Sequence, residues 1–227
     1  MKFCYLLPIF FISFSAKCED YLNLVTGNDY PPYSDERLPE GGIFTAKVKQ
    51  ILNKLNIKYK IEFMPWARGY ELVKKGTFSA TFPYTFREER NKEVLYLKKS
   101  ILSTKIFIYT HIKYKNKKSI DDFNGLVFCA PNGYYIEESI QNKINKEEIK
   151  LQKQFDAKSC LISIINNDAD FMILGSEHIK KYQEESTEIL KKIVPLKNPI
   201  KKIELYIVFN KNIDKNIYNK IEKELNK

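Results

Sequence analysis

The chain uses arginine sparingly and mostly in one stretch. Of 38 basic side chains, 34 are Lys and four are Arg: Arg37, Arg68, Arg87 and Arg90. A guanidinium is a planar fork that grips a carboxylate through two parallel hydrogen bonds, which a compact ammonium cannot do. In a Lys-dominated chain the Arg positions are therefore the ones to read for recognition chemistry. Arg90, near a helix start just after Thr85, is placed to clamp a carboxylate. Aromatic residues recur beside similar turns: Tyr30 and Tyr33 in Gly27-Asn28-Asp29-Tyr30-Pro31-Pro32-Tyr33, Trp66 after Met64-Pro65, Tyr84 after Pro83, and Tyr134 after Asn132-Gly133. Their rings would wall a flat or apolar ligand. Each also has a plainer reading. Arg87 and Arg90 would pair with Glu88, Glu89 or Glu93 on a solvated helix. Trp66 would pack between helix and sheet, and Tyr33 would plug a loop.

Groups suited to catalysis are few. His111 and His178 are the only histidines, and no Cys-x-x-Cys or His-x-His spacing occurs, so neither a metal nor a cofactor is expected. Were a cleft to host a reaction, Glu177, His178 or Asp29 would have to supply its acid or base. The four cysteines are Cys4, Cys18, Cys129 and Cys160. Cys129 near a strand end and Cys160 at the start of the helix after the next strand come close if those strands are parallel neighbours. A Cys129–Cys160 disulfide is expected in an oxidising compartment, the alternative being two buried thiols.

The elements that must position these residues alternate. Residues 1–16 open with Lys2, run apolar from Phe3 to Phe14 and end on small side chains, the pattern of a secretory leader. Short apolar strands then alternate with segments of helical spacing. Strands are expected at 21–26, 58–63, 79–82 and 104–111. A helix carries Phe44, Val48, Ile51, Leu52 and Leu55 on one face, and a second opens at Pro65 and closes at Gly76. After 111 the alternation restarts, with strands at 126–130, 149–155, 171–174 and 202–209 and helices at 134–144, 159–165, 176–182 and 213–225. Ser119 and Asp122 form a capped turn. This is an α/β pattern, and two such halves joined by strands predict two lobes around a cleft, with ligands at the carboxyl ends of strands.

The formal charge of +10 would fit a nucleic-acid binder. Its carriers are dispersed Lys rather than Arg, and the densest basic run, 113–118, reads as a solvated loop, so no nucleic acid is expected.

The ordered set Thr26-Gly27-Asn28-Asp29-Tyr30-Pro31-Pro32-Tyr33, Gly41-Gly42-Ile43-Phe44, Met64-Pro65-Trp66-Ala67-Arg68, Thr85 to Arg90 with Tyr96, Gly125 to Gly133, and Asp168-Ala169-Asp170-Phe171 resembles the bacterial extracellular solute-binding proteins of family 3, the polar amino-acid uptake type. The resemblance implies a two-lobe type II periplasmic binding-protein fold, with lobe 1 made of 17–108 plus 204–227 and lobe 2 of 109–203. It implies a periplasmic monomer that closes on a small carboxylate-bearing solute and serves the membrane permease of an ABC transporter. Arg90, with Thr85, would hold the carboxylate. Tyr30 would cover the ligand and Trp66 contact it, Gly133 and Tyr134 would present backbone N–H groups from the second lobe's turn, and Pro83-Tyr84 stands where the family usually has small polar residues before the arginine. One departure stands out: the acidic residue that pairs the α-ammonium in amino-acid binders of this family falls at Gly175, with Glu177 two residues on. An enzyme on the same fold, dehydratase- or lyase-like, and a sensory binding domain are the alternatives.

Overall fold

A computed structural model describes residues 21–226. The expected leader, Cys4 and Cys18 lie outside them. The first half runs β1 (Leu22–Thr26), α1 (Ile43–Lys54), β2 (Tyr59–Phe63), α2 (Trp66–Lys74), β3 (Ala80–Thr85), a single-turn α3 (Glu88–Asn91), the short β4 (Leu95–Tyr96) and the long β5 (Leu102–His111). The second half runs β6 (Val127–Pro131), α4 (Glu138–Asn145), β7 (Lys150–Gln154), α5 (Ala157–Ile165), β8 (Phe171–Gly175), α6 (Ser176–Glu185), α7 (Thr187–Lys192), β9 (Ile193–Pro195), β10 (Lys201–Phe209) and α8 (Lys215–Leu225).

The strands join in the order β2-β1-β3-β10-β5-β8-β6-β7, with β4 on β10 and β9 on β5. β1 pairs in parallel with β2 and β3, and β6 in parallel with β7 and β8. Between these two parallel wings run β10 and β5, antiparallel to each other and to the wings. The alternation in the sequence thus marks each wing correctly. The late strand β10, however, crosses back to seat beside β3, so the sheet is mixed rather than parallel.

Packing follows the apolar spacing. Phe44, Val48 and Leu52 of α1 are buried against Leu22, Leu24 and Phe82. On the far wing, Cys160, Leu161 and Ile164 of α5 pack with Cys129, Met172 and Leu174. Cys129 of β6 and Cys160 of α5 are joined by a disulfide with Cα atoms 5.6 Å apart. The turn at Ser119 and Asp122 is a reciprocal capping box on the 3-10 turn Ile120–Phe123.

Two boundaries differ from the sequence reading where they matter most. β3 continues through Pro83 to Thr85 instead of ending at Phe82. Proline cannot donate to a sheet ladder, yet Pro83 falls where the β3–β10 register shifts between Tyr206 and Val208, so no ladder bond is forfeited. Helix α4 starts at Glu138, four residues after the expected start, which leaves Tyr134 and Tyr135 in an irregular segment after β6.

Candidate functional site

A cavity of about 70 Å³ lies where the two wings meet, at the carboxyl ends of β1, β2, β3, β6 and β8. By the ~10–15 Å³ that one water centre needs, it admits a solute of only a few heavy atoms. Tyr30, Trp66, Tyr84, Thr85, Arg90, Gly133 and Tyr134 all line it. A larger hollow, about 510 Å³, opens at the opposite edge beside Gly76 and Asn210; it adjoins Tyr21, where the described residues begin.

The walls are aromatic. Tyr30, Trp66 and Tyr134 stand nearly perpendicular to one another, with centroids 6.2 Å (Tyr30–Trp66), 5.7 Å (Tyr30–Tyr134) and 6.5 Å (Trp66–Tyr134) apart. Local bonds hold them. Trp66 Nε1–H donates to the Asn28 carbonyl at 3.0 Å, and the Tyr84 hydroxyl donates to the Trp66 carbonyl at 3.0 Å. Trp66 also dictates two glycines. A Cβ on Gly27 would lie 2.2 Å from the indole, and one on Gly133, whose φ is +79°, would lie 2.9 Å from Trp66 Cβ. The floor is aliphatic: Ile106 of β5, Ile173 and Leu174 of β8, and Ile203 and Leu205 of β10. These residues have the look of ordinary buried strands, which is why the sequence reading missed them.

Two polar side chains, Thr85 and Arg90, line this apolar chamber. Thr85 Oγ1 is buried and makes no hydrogen bond. Its backbone is pinned by the Tyr96 hydroxyl, which donates to the Thr85 carbonyl at 2.9 Å. Arg90 lies with its guanidinium 5.0 Å from the Tyr84 ring centre and 5.5 Å from that of Tyr70, and makes no ion pair with a described carboxylate. The local pairing expected as the plainer reading does not form. Glu93 is instead held by Lys74 at 2.9 Å and by the Tyr70 hydroxyl at 2.9 Å. A fully used pair would leave nothing for a ligand; a guanidinium without an ion pair and a hydroxyl without a hydrogen bond, lining one cavity, have donors left over for an anion.

The other arginines of the cluster are elsewhere. Arg68 is exposed on α2. Arg87 donates to the Ile136 carbonyl at 3.1 Å and stacks over Tyr135, tying the β3 side to the segment after β6. Burial lowers the Arg87 pKa from its ordinary value. Tyr33 is buried against Tyr30 and does not reach the cavity.

Behind the aromatic wall is a second polar cluster. Asp29, at φ +65°, accepts the Ala157 N–H of α5 at 2.8 Å and the Tyr182 hydroxyl of α6 at 2.5 Å. The Tyr134 hydroxyl donates to the Asp29 carbonyl. Burial pushes the Asp29 carboxyl above its ordinary value, against the pull of Tyr182 and the Ala157 N–H. His178 is wholly buried, its ring 4.9 Å from that of Tyr30 and its Nε2 3.3 Å from the Tyr182 hydroxyl, and burial pushes its pKa down to about 3. Glu177 faces outward and pairs with Lys180 at 2.9 Å. The three acid/base candidates are thus close in sequence or space but do not line the cavity. Among the described residues no group of three His, Cys, Asp or Glu side chains is arranged to hold a metal, and no helix is long and apolar enough to cross a membrane.

No family model matches the chain, and no curated protein matches it. Solved structures do. Holo ArgBP from T. maritima is 18% identical over 91% of this chain and 89% of its own, with a TM-score of 0.74. A putative L-cystine ABC transporter protein from Listeria monocytogenes is 16% identical over 91% and 89%, with a TM-score of 0.75. A histidine kinase sensor domain similar to periplasmic binding proteins is 13% identical over 92% and 90%, with a TM-score of 0.77. The chain has the two-lobe, type II periplasmic binding-protein fold. The cavity described above lies between the two wings of the sheet, and the Asp29 and Arg87 contacts join one wing to the other.

Proposed function

We propose that this protein is an exported solute-binding protein of the family 3 type, capturing a small carboxylate-bearing solute by hinged lobe closure for an ABC transporter. The observation that carries this reading is that Arg90, free of any described carboxylate, and the orphan hydroxyl of Thr85 line one apolar cavity. Structural neighbours that are named for amino-acid uptake support it. Lobe 1 comprises 17–108 and 204–227 and lobe 2 comprises 109–203, the hinge running through β5 and β10, which carry the chain between wings. The partner is the transporter's membrane permease, and the protein acts in the periplasm as a monomer. Tyr30, Trp66, Tyr84 and Tyr134 cover the solute, and Gly133 lets the second lobe approach Trp66.

Binding is favoured over catalysis because each candidate acid or base is engaged elsewhere: Asp29 by Ala157 and Tyr182, His178 behind Tyr30, Glu177 by Lys180. A sensory role is a second reading, favoured by the likeness to a kinase sensor domain.

A thermal-shift screen of small carboxylates and small amino acids tests the proposal. A true ligand at one hundred times its Kd stabilises the native state by ~2.7 kcal/mol. At least one carboxylate is expected to raise the melting temperature of the native protein and to leave Arg90→Ala unmoved. If no solute shifts the native protein, or Arg90→Ala responds equally, carboxylate capture at this site is wrong.

A further inference from the structure

We infer that the cavity selects carboxylates that carry no α-ammonium group, and that free α-amino acids are discriminated against. This rests on the carboxylate-binding reading above and narrows its solute class.

The electrostatics of the lining point one way. Among the described residues that line the cavity, Arg90 is the one charged side chain and none is a carboxylate. Two helices also open there. α2 begins at Trp66 and α6 follows Gly175, both lining residues, and neither helix start has a side-chain cap. Uncapped N-termini add partial positive charge to that of Arg90. An α-amino acid bound by its carboxylate at Arg90 would have to bury an ammonium in this positive chamber. A buried ammonium without an anionic partner is costly.

The nearby acids do not relieve that cost. Asp29 has its two carboxylate oxygens committed to Ala157 N–H and the Tyr182 hydroxyl, behind the aromatic wall. Glu177 points outward to Lys180, and Glu93 is tied to Lys74 and Tyr70. The position at the end of β8 that faces the cavity is Gly175, which brings no side chain at all. The remaining lining is aromatic and aliphatic and suits a short apolar body. The solute class that fits is a small monocarboxylate with a hydrocarbon tail.

Pairs of probes that differ only in the amino group decide the matter: propionate against alanine, butyrate against 2-aminobutyrate, and isovalerate against valine, each titrated calorimetrically into the native protein and into Arg90→Ala. In at least one pair the deaminated acid is expected to bind ten or more times more tightly than its amino acid, with binding lost in Arg90→Ala. Equal or tighter binding of the amino acids across the pairs, still dependent on Arg90, overturns the inference and leaves the carboxylate reading standing. Binding of neither member of any pair, with no response to Arg90→Ala, overturns both.

Gly175→Asp supplies the converse. Gly175 has φ −69° and ψ 148°, which aspartate adopts freely, and its new Cβ would lie 3.1 Å from Thr104 Oγ1, a side chain that must give by a few tenths of an ångström. The variant, made alone and with Thr104→Ala, is expected to shift the preference within a pair at least tenfold toward the amino acid. A folded variant whose preference is unchanged counts against the inference. If neither version folds, the native pairs alone decide.

Discussion

Two polar clusters flank the same aromatic wall and use their hydrogen-bonding groups in opposite ways. On the cavity side, Thr85 Oγ1 makes no hydrogen bond and Arg90 no ion pair with a described carboxylate. On the far side, both carboxylate oxygens of Asp29 are satisfied, by a helix N–H and a tyrosine hydroxyl. Buried polar groups are normally paired, because an unmade bond costs the full desolvation of the group. The first cluster carries that cost and is therefore read as waiting for a solute. The second has its carboxylate fully engaged, leaving His178 Nδ1 as its one buried atom without a hydrogen bond among the described residues, and is read as a strut that ties the loop after β1 to α5 and α6. Composition does not separate the two, since both mix charge with tyrosines; the difference lies in which bonds are already made.

The largest effect expected is at Arg90. Removing one partner of a buried, charge-assisted pair costs about 2–5 kcal/mol of binding. Arg90→Ala should therefore lose most of its solute affinity in calorimetry while keeping its circular dichroism and melting temperature. A large loss of fold stability instead would make Arg90 structural and erase the contrast.

The strut should show itself through pH. His178 is held neutral when folded, its pKa lowered from 6.5 to about 3. The unfolded chain then binds more protons below pH 6.5, so this contribution to stability is full above that value and is lost as pH falls toward 3. The slope reaches ~1.4 kcal/mol per pH unit. Asp29 acts with the opposite sign: its carboxyl is raised above 3.8, so its contribution is full below that value and is lost as pH rises through the folded pKa. Urea melts across pH 3–7 should show the acid loss flattened in His178→Gln and steepened in Asp29→Asn. Unchanged slopes in both variants would remove the two groups from the stability account.

Tyr182→Phe deletes a donor to Asp29 and should lower stability by about 1–3 kcal/mol in denaturant melts, with solute affinity changed less. Thr85→Val is the sharpest small test. It swaps an orphan hydroxyl for a methyl, so the free protein should be as stable as the native one or more so, while solute affinity falls by about 0.5–1.5 kcal/mol. Loss of stability in Thr85→Val would mean the hydroxyl already serves the fold.

Much of this arrangement was legible in the residues. Strict alternation marked both wings, and the turns after the strands marked the cavity, because strand ends in such sheets converge. Three things were not. The seating of β10 beside β3 is a long-range pairing that local periodicity does not encode. Strand β3 was expected to end at Phe82, which put Tyr84 and Thr85 in a turn, whereas Pro83 is seated within it where the register of β10 shifts. The division of labour among Arg68, Arg87 and Arg90 depends on where each side chain reaches, which spacing in the chain does not tell. Arg90, singled out by its position after Thr85, lines the cavity, and the Cys129–Cys160 pairing followed from adjacent parallel strands, as β6 and β7 are.

The most direct test of the central claim is a calorimetric titration of the native protein and of Arg90→Ala with a panel of small carboxylates. The account predicts saturable binding of at least one carboxylate by the native protein and a loss of at least about thirtyfold in Arg90→Ala, the equivalent of the ~2 kcal/mol lower bound for such a pair. Absence of binding by the native protein, or equal affinity in the two proteins, would contradict it.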